Sequence, residues 1–198
     1  MYGKKKRMNV YIDLNNLENE AEKYNQVGLV LNYTELIRIV SKQYSVEKVY
    51  FFDSEPSHID DVSEKQLMRI HNILKNAGYT PMLYKPQHCP NNTQDSVQKE
   101  VDTGFCCQVD KENYKNVFDT ALFLTGDRDM CPAAKNIQEE GKEVIVVAFE
   151  PNFAECLKEI ANEYHFIEDL DCMEIVSEFG YMNRINTADP LTDICGGE

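Results

Sequence analysis

Carboxylate side chains follow several of the apolar segments of this sequence. "VYIDLNN" ends its apolar run at Asp13, with Asn16 three residues later, and "LFLTGDRD" passes through Thr125 to Asp127 and Asp129. An aspartate that follows an apolar run commonly caps the next helix or forms a turn. Taken alone, each of these aspartates is interpreted in that way, and Asp129 is predicted to be the N-cap of the helix that follows it.

The coincidence of several such residues suggests a second interpretation. Asp53 ends a further apolar run in "FFDSEP", and Asp102 interrupts the amphipathic segment "QKEVDTGF". Carboxylates that gather in one cleft repel each other unless a cation neutralises them. Hard oxygen ligands suit Mg²⁺ or Mn²⁺, and two such ions about 4 Å apart can activate water for phosphodiester cleavage. Asp13, Asp127 and Asp129 are therefore candidate metal ligands.

Polar and basic neighbours of these aspartates fit the same chemistry. Asn16 can act as a neutral oxygen ligand or can orient a carboxylate, and Thr125 can hold a metal-bound water or a phosphate. Arg128 and Lys99 are candidate contacts for a nucleic-acid backbone. The alternative for these two basic residues is an ordinary surface ion pair.

Short apolar segments alternate along the chain with segments of helical spacing. The predicted strands are residues 8–13, 46–53, 80–85, 120–125, 142–149 and 165–169. The predicted helices lie within residues 33–44, 64–78, 95–110, 130–141 and 152–164. This alternation predicts a three-layer α/β/α sandwich around a mostly parallel sheet of five or six strands. Ligands of such sheets bind beyond the carboxyl ends of the strands, where the candidate aspartates lie.

Composition sets the domain count and the compartment. The 198 residues predict a basic lead-in at 1–7, one domain at 8–170 and a tail at 171–198. The seven cysteines have no framework spacing, which favours reduced thiols and a cytoplasmic protein. No apolar run approaches the ~18 residues of a membrane-spanning helix, so no membrane partner is expected. The net charge of −14 argues against broad electrostatic attraction to nucleic acid.

Three segments, in order, resemble the blocks of the NYN domain, a PIN-like (FLAP-nuclease-like) ribonuclease branch. They are "VYIDLNNL", "QKEVDTGF" and "ALFLTGDRDMCPAAKNIQEEGKEVIVVAF". The family's motifs are D-x-x-N after a strand, K-G-x-D on a helix and S/T-G-D-x-D before a helix. Here they correspond to Asp13 to Asn16, Lys99 to Asp102 and Thr125 to Asp129. Glu100 stands where the family prefers glycine, and the resemblance covers roughly residues 8–170.

The resemblance implies a PIN-like (Rossmannoid) fold and a metal-dependent endoribonuclease with Mg²⁺ or Mn²⁺ as its cofactor. Its ligands would be Asp13, Asp102, Asp127 and Asp129, and Asn16 would belong to the catalytic set. Metal-activated water would attack the RNA phosphodiester directly, without a covalent protein intermediate.

The sequence is also compatible with other functions. A catalytically weak or inactive PIN-like module that binds RNA or protein partners in a regulatory role agrees with the acidic charge. A phosphatase of the haloacid dehalogenase type needs a second aspartate two residues after the first, where this chain has Asn15. DNA stays open as a substrate because nothing here identifies a contact for the 2′-hydroxyl. An acidic protein that acts on RNA needs positive surface from a homodimer, a protein partner or the basic run Lys4–Arg7.

Overall fold

Six parallel strands form the central sheet. The computed structural model describes residues 4–25, 29–56, 62–85 and 94–175. Its strands are β1 (Lys6–Asp13), β2 (Leu29–Leu31), β3 (Tyr44–Ser54), β4 (Thr80–Tyr84), β5 (Thr120–Leu124), β6 (Glu143–Ala148), β7 (Glu163–Phe166) and β8 (Met173–Ile175). Its helices are α1 (Leu14–Asn25), α2 (Tyr33–Val40), α3 (Val62–Asn76), α4 (Gln94–Tyr114), α5 (Cys131–Glu139) and α6 (Glu155–Ile160).

The order of the strands places the sheet's crossover point at its centre. The order is β4-β3-β1-β5-β6-β7, and every neighbouring pair in it is parallel. From β1 the chain first builds outward through β3 to β4. It then returns to β5 on the other side of β1 and builds outward through β6 to β7. The strand order therefore reverses between β1 and β5, which is where open parallel sheets bind their ligands.

Helices cover both faces of the sheet, and each face has its own apolar core. On one face α1, α2 and α3 pack through side chains such as Leu17, Leu36 and Leu74. On the other face α4, α5 and α6 pack through side chains such as Phe105 and Ile137. Because side chains alternate along a strand, Ile12 faces the first core and Tyr11 faces the second. The predicted α/β fold, with a mostly parallel sheet between helices, is confirmed.

Glycines follow the ends of two helices. Gly78 follows α3 with φ of 84°, and Gly141 follows α5 with φ of 73°. The amide of Gly78 donates to the carbonyl of Lys75 at 3.0 Å, and the amide of Gly141 donates to that of Gln138 at 2.9 Å. A left-handed residue that closes the last helical turn is what a C-terminal glycine provides.

Several elements differ from the sequence-based prediction. Helix α1 was not predicted, although Leu14, Leu17 and Ala21 are its buried residues. Strands β2 and β8 form a separate antiparallel pair, so residues 173–175 of the predicted tail belong to a strand. Residues 176–198 of that tail, and residues 1–3 of the predicted lead-in, lie outside the described residues.

The basic run at the N-terminus lies far from the carboxyl ends of the strands. Lys6 and Arg7 are part of β1, where Lys6 pairs with Glu143 and Arg7 pairs with Asp119 at 2.7 Å. Asp13 is at the opposite end of the same strand, seven residues or about 23 Å away. Any positive surface from this run would therefore lie at the opposite end of β1 from Asp13, and its contribution to RNA binding stays a prediction. Among the described residues, no helix is both long enough and apolar enough to cross a membrane.

Candidate metal centre

Asp13 lies at the centre of the site. It is the last residue of β1 and only 1 % exposed, because α4 and the loop after β5 cover the end of the strand. One oxygen, Oδ1, accepts the backbone amide of Asn16 at 3.2 Å. The other, Oδ2, accepts the hydroxyl of Thr125 at 3.0 Å. These two donors hold the carboxylate in one orientation.

The loop after β5 carries the second carboxylate. Its first residue, Thr125, is fully buried, and its hydroxyl donates to Asp13 while accepting the amide of Asp127 at 3.1 Å. The side chain of Asp127 accepts the amide of Asp129 at 2.9 Å and thereby caps a 3-10 turn at Arg128–Met130. Asp127, and not Asp129, is therefore the capping residue, and the predicted N-cap role of Asp129 is wrong.

Asp102 reaches the site from helix α4. Val101 and Phe105 on this helix are buried against the sheet. Asp102 and Cys106, one turn apart, lie at the side of that buried face and are half-buried. The thiol of Cys106 contacts the carbonyl oxygen of Asp129 at 3.7 Å, so this side of the helix faces the loop after β5. The packing of α4 thus directs Asp102 towards the other two carboxylates.

The structure brings these three carboxylates into one group. An oxygen of Asp13, one of Asp102 and one of Asp127 all lie within 4.8 Å of one another. Oxygen ligands around Mg²⁺, at about 2.1 Å from the ion, lie roughly 3–4 Å apart. The upper limit of 4.8 Å in this group is close to that spacing. The donor set is entirely oxygen, which fits Mg²⁺ or Mn²⁺ and not a thiolate-seeking metal.

The electrostatics of the group also favour a cation. The pKa of Asp13 is raised from 3.8 to about 7, chiefly by burial and to a smaller extent by the charges of Asp102 and Asp127, against the lowering effect of its two hydrogen bonds. A carboxyl group in this position holds its proton near neutral pH unless a positive charge replaces it. An ionised Asp13 therefore lowers the stability of the metal-free fold, at a position where an ordinary core would have an apolar side chain.

A network of amide groups holds the loops around the carboxylates. The side-chain oxygen of Asn16 accepts the amide of Gly126 at 2.9 Å, and the side-chain nitrogen of Asn152 donates to Asn16 at 3.3 Å. The amide of Ala154 donates to the carbonyl of Gly126 at 2.9 Å. A β-carbon at Gly126 would lie 2.5 Å from the carbonyl oxygen of Asn152, so this approach requires glycine. The ends of β1, β5 and β6 are tied together in this way.

The remaining predicted site residues occupy three different settings. The Asp129 carboxylate is exposed and, among the described side chains, is not part of the three-carboxylate group. Arg128 and Lys99 are also exposed, on the 3-10 turn and on α4. Thr125 and Asn16 hydrogen-bond to neighbouring protein groups: Thr125 donates to Asp13, and Asn16 accepts the amide of Gly126.

Asn152 was not predicted from the sequence. It follows β6 in "FEPN", and a polar residue just beyond an apolar strand was the available signal. The same signal identified the aspartates after β1 and β5. What could not be seen is that the loop after β6 folds back over Gly126, because that contact joins residues distant in sequence.

Comparisons with known proteins agree with this architecture. The model of the family described as "NYN domain" matches residues 7–169. A protein of unknown function from Vibrio parahaemolyticus has a crystal structure that superposes with a TM-score of 0.66 at 18 % identity. The superposition covers 85 % of this chain and 97 % of that chain, and it shows the fold alone.

A curated relative is similar over a shorter segment. An uncharacterized protein of Methanocaldococcus jannaschii is 33 % identical over 63 residues. The segment is 32 % of this chain and 26 % of that protein, so the match spans about a quarter of the relative's length.

Proposed function

This chain belongs to the NYN domain family, which has the PIN-like nuclease fold, and we propose that it is a metal-dependent endoribonuclease. One observation carries the proposal: carboxylates from β1, α4 and the loop after β5 converge within 4.8 Å where the strand order reverses. Three clustered carboxylates do not stabilise the fold by themselves, since each one raises the free-energy cost of ionising the others.

The residues of the site would have two roles, metal binding and positioning of the ligands. Asp13, Asp102 and Asp127 would hold Mg²⁺ or Mn²⁺, and a divalent cation so held supplies activated water and neutralises charge on the scissile phosphate. Thr125 and Asn16 keep the Asp13 carboxylate fixed through the hydrogen bonds described above. Because the ligands are preorganised, little rearrangement is needed when the substrate binds.

Residues at the mouth of the site would contact the substrate. We propose that Arg128 and Lys99, both exposed beside the group, bind backbone phosphates on either side of the scissile bond. Asp129 is proposed as an additional ligand that contributes from the rim, because its exposed carboxylate lies on the turn that Asp127 caps. RNA is the proposed substrate, and DNA is the comparison that the experiment must include.

Replacement of single acids tests the proposal. Purified protein is stripped with EDTA and supplied with Mg²⁺ or Mn²⁺, together with single-stranded RNA, structured RNA or matching DNA. We expect the wild type to cleave RNA, and Asp13→Asn and Asp127→Asn to lose more than the roughly 10–100-fold typical of changes to outer-shell partners. Asp129→Asn should lose less than Asp127→Asn.

A control on the same helix keeps this test specific. Asp110 is a half-buried acid of α4 that accepts a hydrogen bond from Asn136 at 3.1 Å and lies outside the three-carboxylate group. Asp110→Asn should therefore cleave like the wild type. Full activity in both Asp13→Asn and Asp127→Asn would overturn the proposal. No cleavage with any metal, together with measurable RNA or protein binding, would favour a regulatory binding module.

Beyond Arg128 and Lys99, the positive surface for the substrate is proposed to come from a second protein chain. The chain carries a net charge of −14, and Lys6 and Arg7 are paired at the far end of β1. We propose that a homodimer or a protein partner extends the basic surface beside the site. Light scattering with and without RNA tests this: a monomer that binds RNA with full affinity alone would contradict it.

A further inference from the structure

An open groove lies between the end of β4 and helix α4, the helix that carries Asp102. Its volume is about 420 Å³, and its lining consists of Tyr84, Lys99, Glu100, Thr103 and Gly104. This volume is within the range of small-ligand sites, roughly 300–1,000 Å³. The proposed function leaves the groove unused apart from Lys99 on its rim.

Tyr84 lies across helix α4 because Gly104 lets it approach. A β-carbon at Gly104 would lie 1.9 Å from the hydroxyl oxygen of Tyr84 and 2.2 Å from the ring carbon that bears it. Any other residue here would displace the ring, although a helix interior otherwise disfavours glycine by about 1 kcal/mol. The glycine thus permits an aromatic side chain to line the groove.

The strand register places Tyr84 near the metal ligands. Asp13 is level with Phe52 on β3, and Phe52 is level with Met82 on β4. Tyr84 is two residues beyond Met82 and on the same face of the sheet. Two strand spacings and two residues correspond to about 12 Å between the Cα atoms of Asp13 and Tyr84. Neighbouring nucleotides of one strand can therefore occupy both the metal centre and the groove.

Charged side chains in the groove would fix the orientation of a bound nucleotide. Lys99 is three residues before Asp102 on α4. The hydroxyl of Thr103, one helical turn further on, donates to the carbonyl of Lys99 at 2.7 Å. An ammonium group there attracts a phosphate on the side of the metal ligands. Glu100 repels phosphate and can accept from a base amino group. A nucleotide would therefore lie with its phosphate at Lys99 and its base towards Tyr84.

We propose that this groove is the subsite for the nucleotide next to the scissile phosphate in a single-stranded substrate, with its base stacked on Tyr84 and its phosphate on Lys99. The proposal rests on the nuclease function proposed above. A base can stack on a side chain only when it is unpaired, so the subsite selects single strands over duplexes.

Binding in the absence of cleavage tests the subsite independently of catalysis. A series of short single-stranded RNA oligonucleotides is prepared, each with the fluorescent base 2-aminopurine at a different position. Ca²⁺ replaces Mg²⁺ to prevent cleavage. We expect fluorescence to fall on binding at one position of the series, because stacking on an aromatic ring quenches it. Tyr84→Leu should abolish that change and weaken binding roughly tenfold, whereas Tyr84→Phe should retain both.

Matched variants on the same helix serve as controls. Tyr114, at the other end of α4, is 92 % exposed, and Tyr114→Leu should bind like the wild type. Lys99→Gln should reduce the slope of log affinity against log salt concentration by about 0.7, the value for one phosphate contact with a single strand. Lys111→Gln, also exposed on α4, should leave the slope unchanged.

The outcomes separate the subsite from the nuclease. Loss of the fluorescence change in Tyr84→Leu alone supports the subsite even if the wild type cleaves nothing, in which case only the nuclease proposal fails. The subsite is overturned if Tyr84→Leu binds and quenches like Tyr114→Leu, whatever the cleavage activity. Equal affinity for single-stranded and fully paired RNA would also overturn it.

Discussion

Replacement of Asp13 by asparagine is expected to stabilise the metal-free protein while it abolishes activity. Burial raises the pKa of this carboxyl from 3.8 to about 7, so the folded protein binds a proton there that the unfolded chain releases. The unfolded chain therefore binds fewer protons between these two values, and the free energy of unfolding falls as pH rises through that window. The loss is complete above the folded-state pKa. Asparagine carries no charge at any pH and removes the effect.

The expected magnitude follows from the size of the pKa change. At 1.36 kcal/mol per pKa unit, a change from 3.8 to about 7 corresponds to about 4 kcal/mol at pH 8. In the wild type the hydroxyl of Thr125 donates to Asp13. In Asp13→Asn it would face the amide nitrogen in some rotamers, and loss of this hydrogen bond costs about 1 kcal/mol of stability. Asp13→Asn should thus be about 3 kcal/mol more stable than the wild type at pH 8 and within about 1 kcal/mol of it at pH 5.

Urea unfolding followed by circular dichroism measures this difference. The chain has no tryptophan, so far-ultraviolet circular dichroism is the suitable probe. Both proteins are unfolded in EDTA across the pH range, and the difference between their unfolding free energies isolates Asp13 from the other titrating groups. Asp110→Asn is the control and should follow the wild type.

Metal should stabilise the wild type more than Asp13→Asn. A cation that binds the folded state alone stabilises it in proportion to its affinity, and only the wild type retains all three carboxylates. Saturating Mg²⁺ or Mn²⁺ should therefore raise the wild type's unfolding free energy more than that of Asp13→Asn. A pH-independent difference between the two proteins in EDTA would refute the argument that burial and the neighbouring acids act on Asp13.

Three further changes have defined outcomes. Gly126→Ala pushes against the carbonyl of Asn152, which is backbone. It should cost about 1–3 kcal/mol in urea unfolding and reduce cleavage further than that loss explains. Glu112→Ala removes the acceptor of two tyrosine hydroxyls, an asparagine amide and a lysine, and should lower stability by about 3 kcal/mol. A hydrogen bond from Arg7 lowers the pKa of Asp119 to about 2, so the pair stabilises the fold above the ordinary carboxyl pKa and ceases to as pH falls. Arg7→Ala should return the NMR titration of Asp119 towards 3.8, lower stability by less than about 1 kcal/mol and leave cleavage unchanged.

Most of the sheet could be predicted because most of its strands are short apolar runs between helical segments. The exception is β7 (Glu163–Phe166), which has two polar residues among its four and starts two residues before the predicted strand at 165–169. The sequence-based start of β1 at residue 8 was late by two residues, since Lys6 and Arg7 pair along the backbone with β3 while their side chains bind acids elsewhere. Strands β2 and β8 have three residues each and exist through pairing with each other. No local pattern in the sequence reports such a pairing.

The site was predictable where chemistry coincides with the ends of strands. Asp13 and Asp127 stood out because aspartate follows an apolar run in both cases, and adjacency of β1 and β5 brings them together. Asp102 came from the resemblance to a known motif. The hydrogen bonds from Thr125 to Asp13 and from Gly126 to Asn16 could not be read from the sequence, because each joins residues more than a hundred positions apart.

The most direct test of the central claim is the dependence of RNA cleavage on metal in the wild type and in Asp127→Asn. Each protein is stripped with EDTA and titrated with Mn²⁺ while bound Mn²⁺ and cleaved RNA are measured in the same samples. The wild type should bind Mn²⁺ and cleave in parallel, and Asp127→Asn should lose both together. Cleavage by the wild type in EDTA, or cleavage by Asp127→Asn at the wild-type rate, would contradict the claim that these carboxylates hold a catalytic metal.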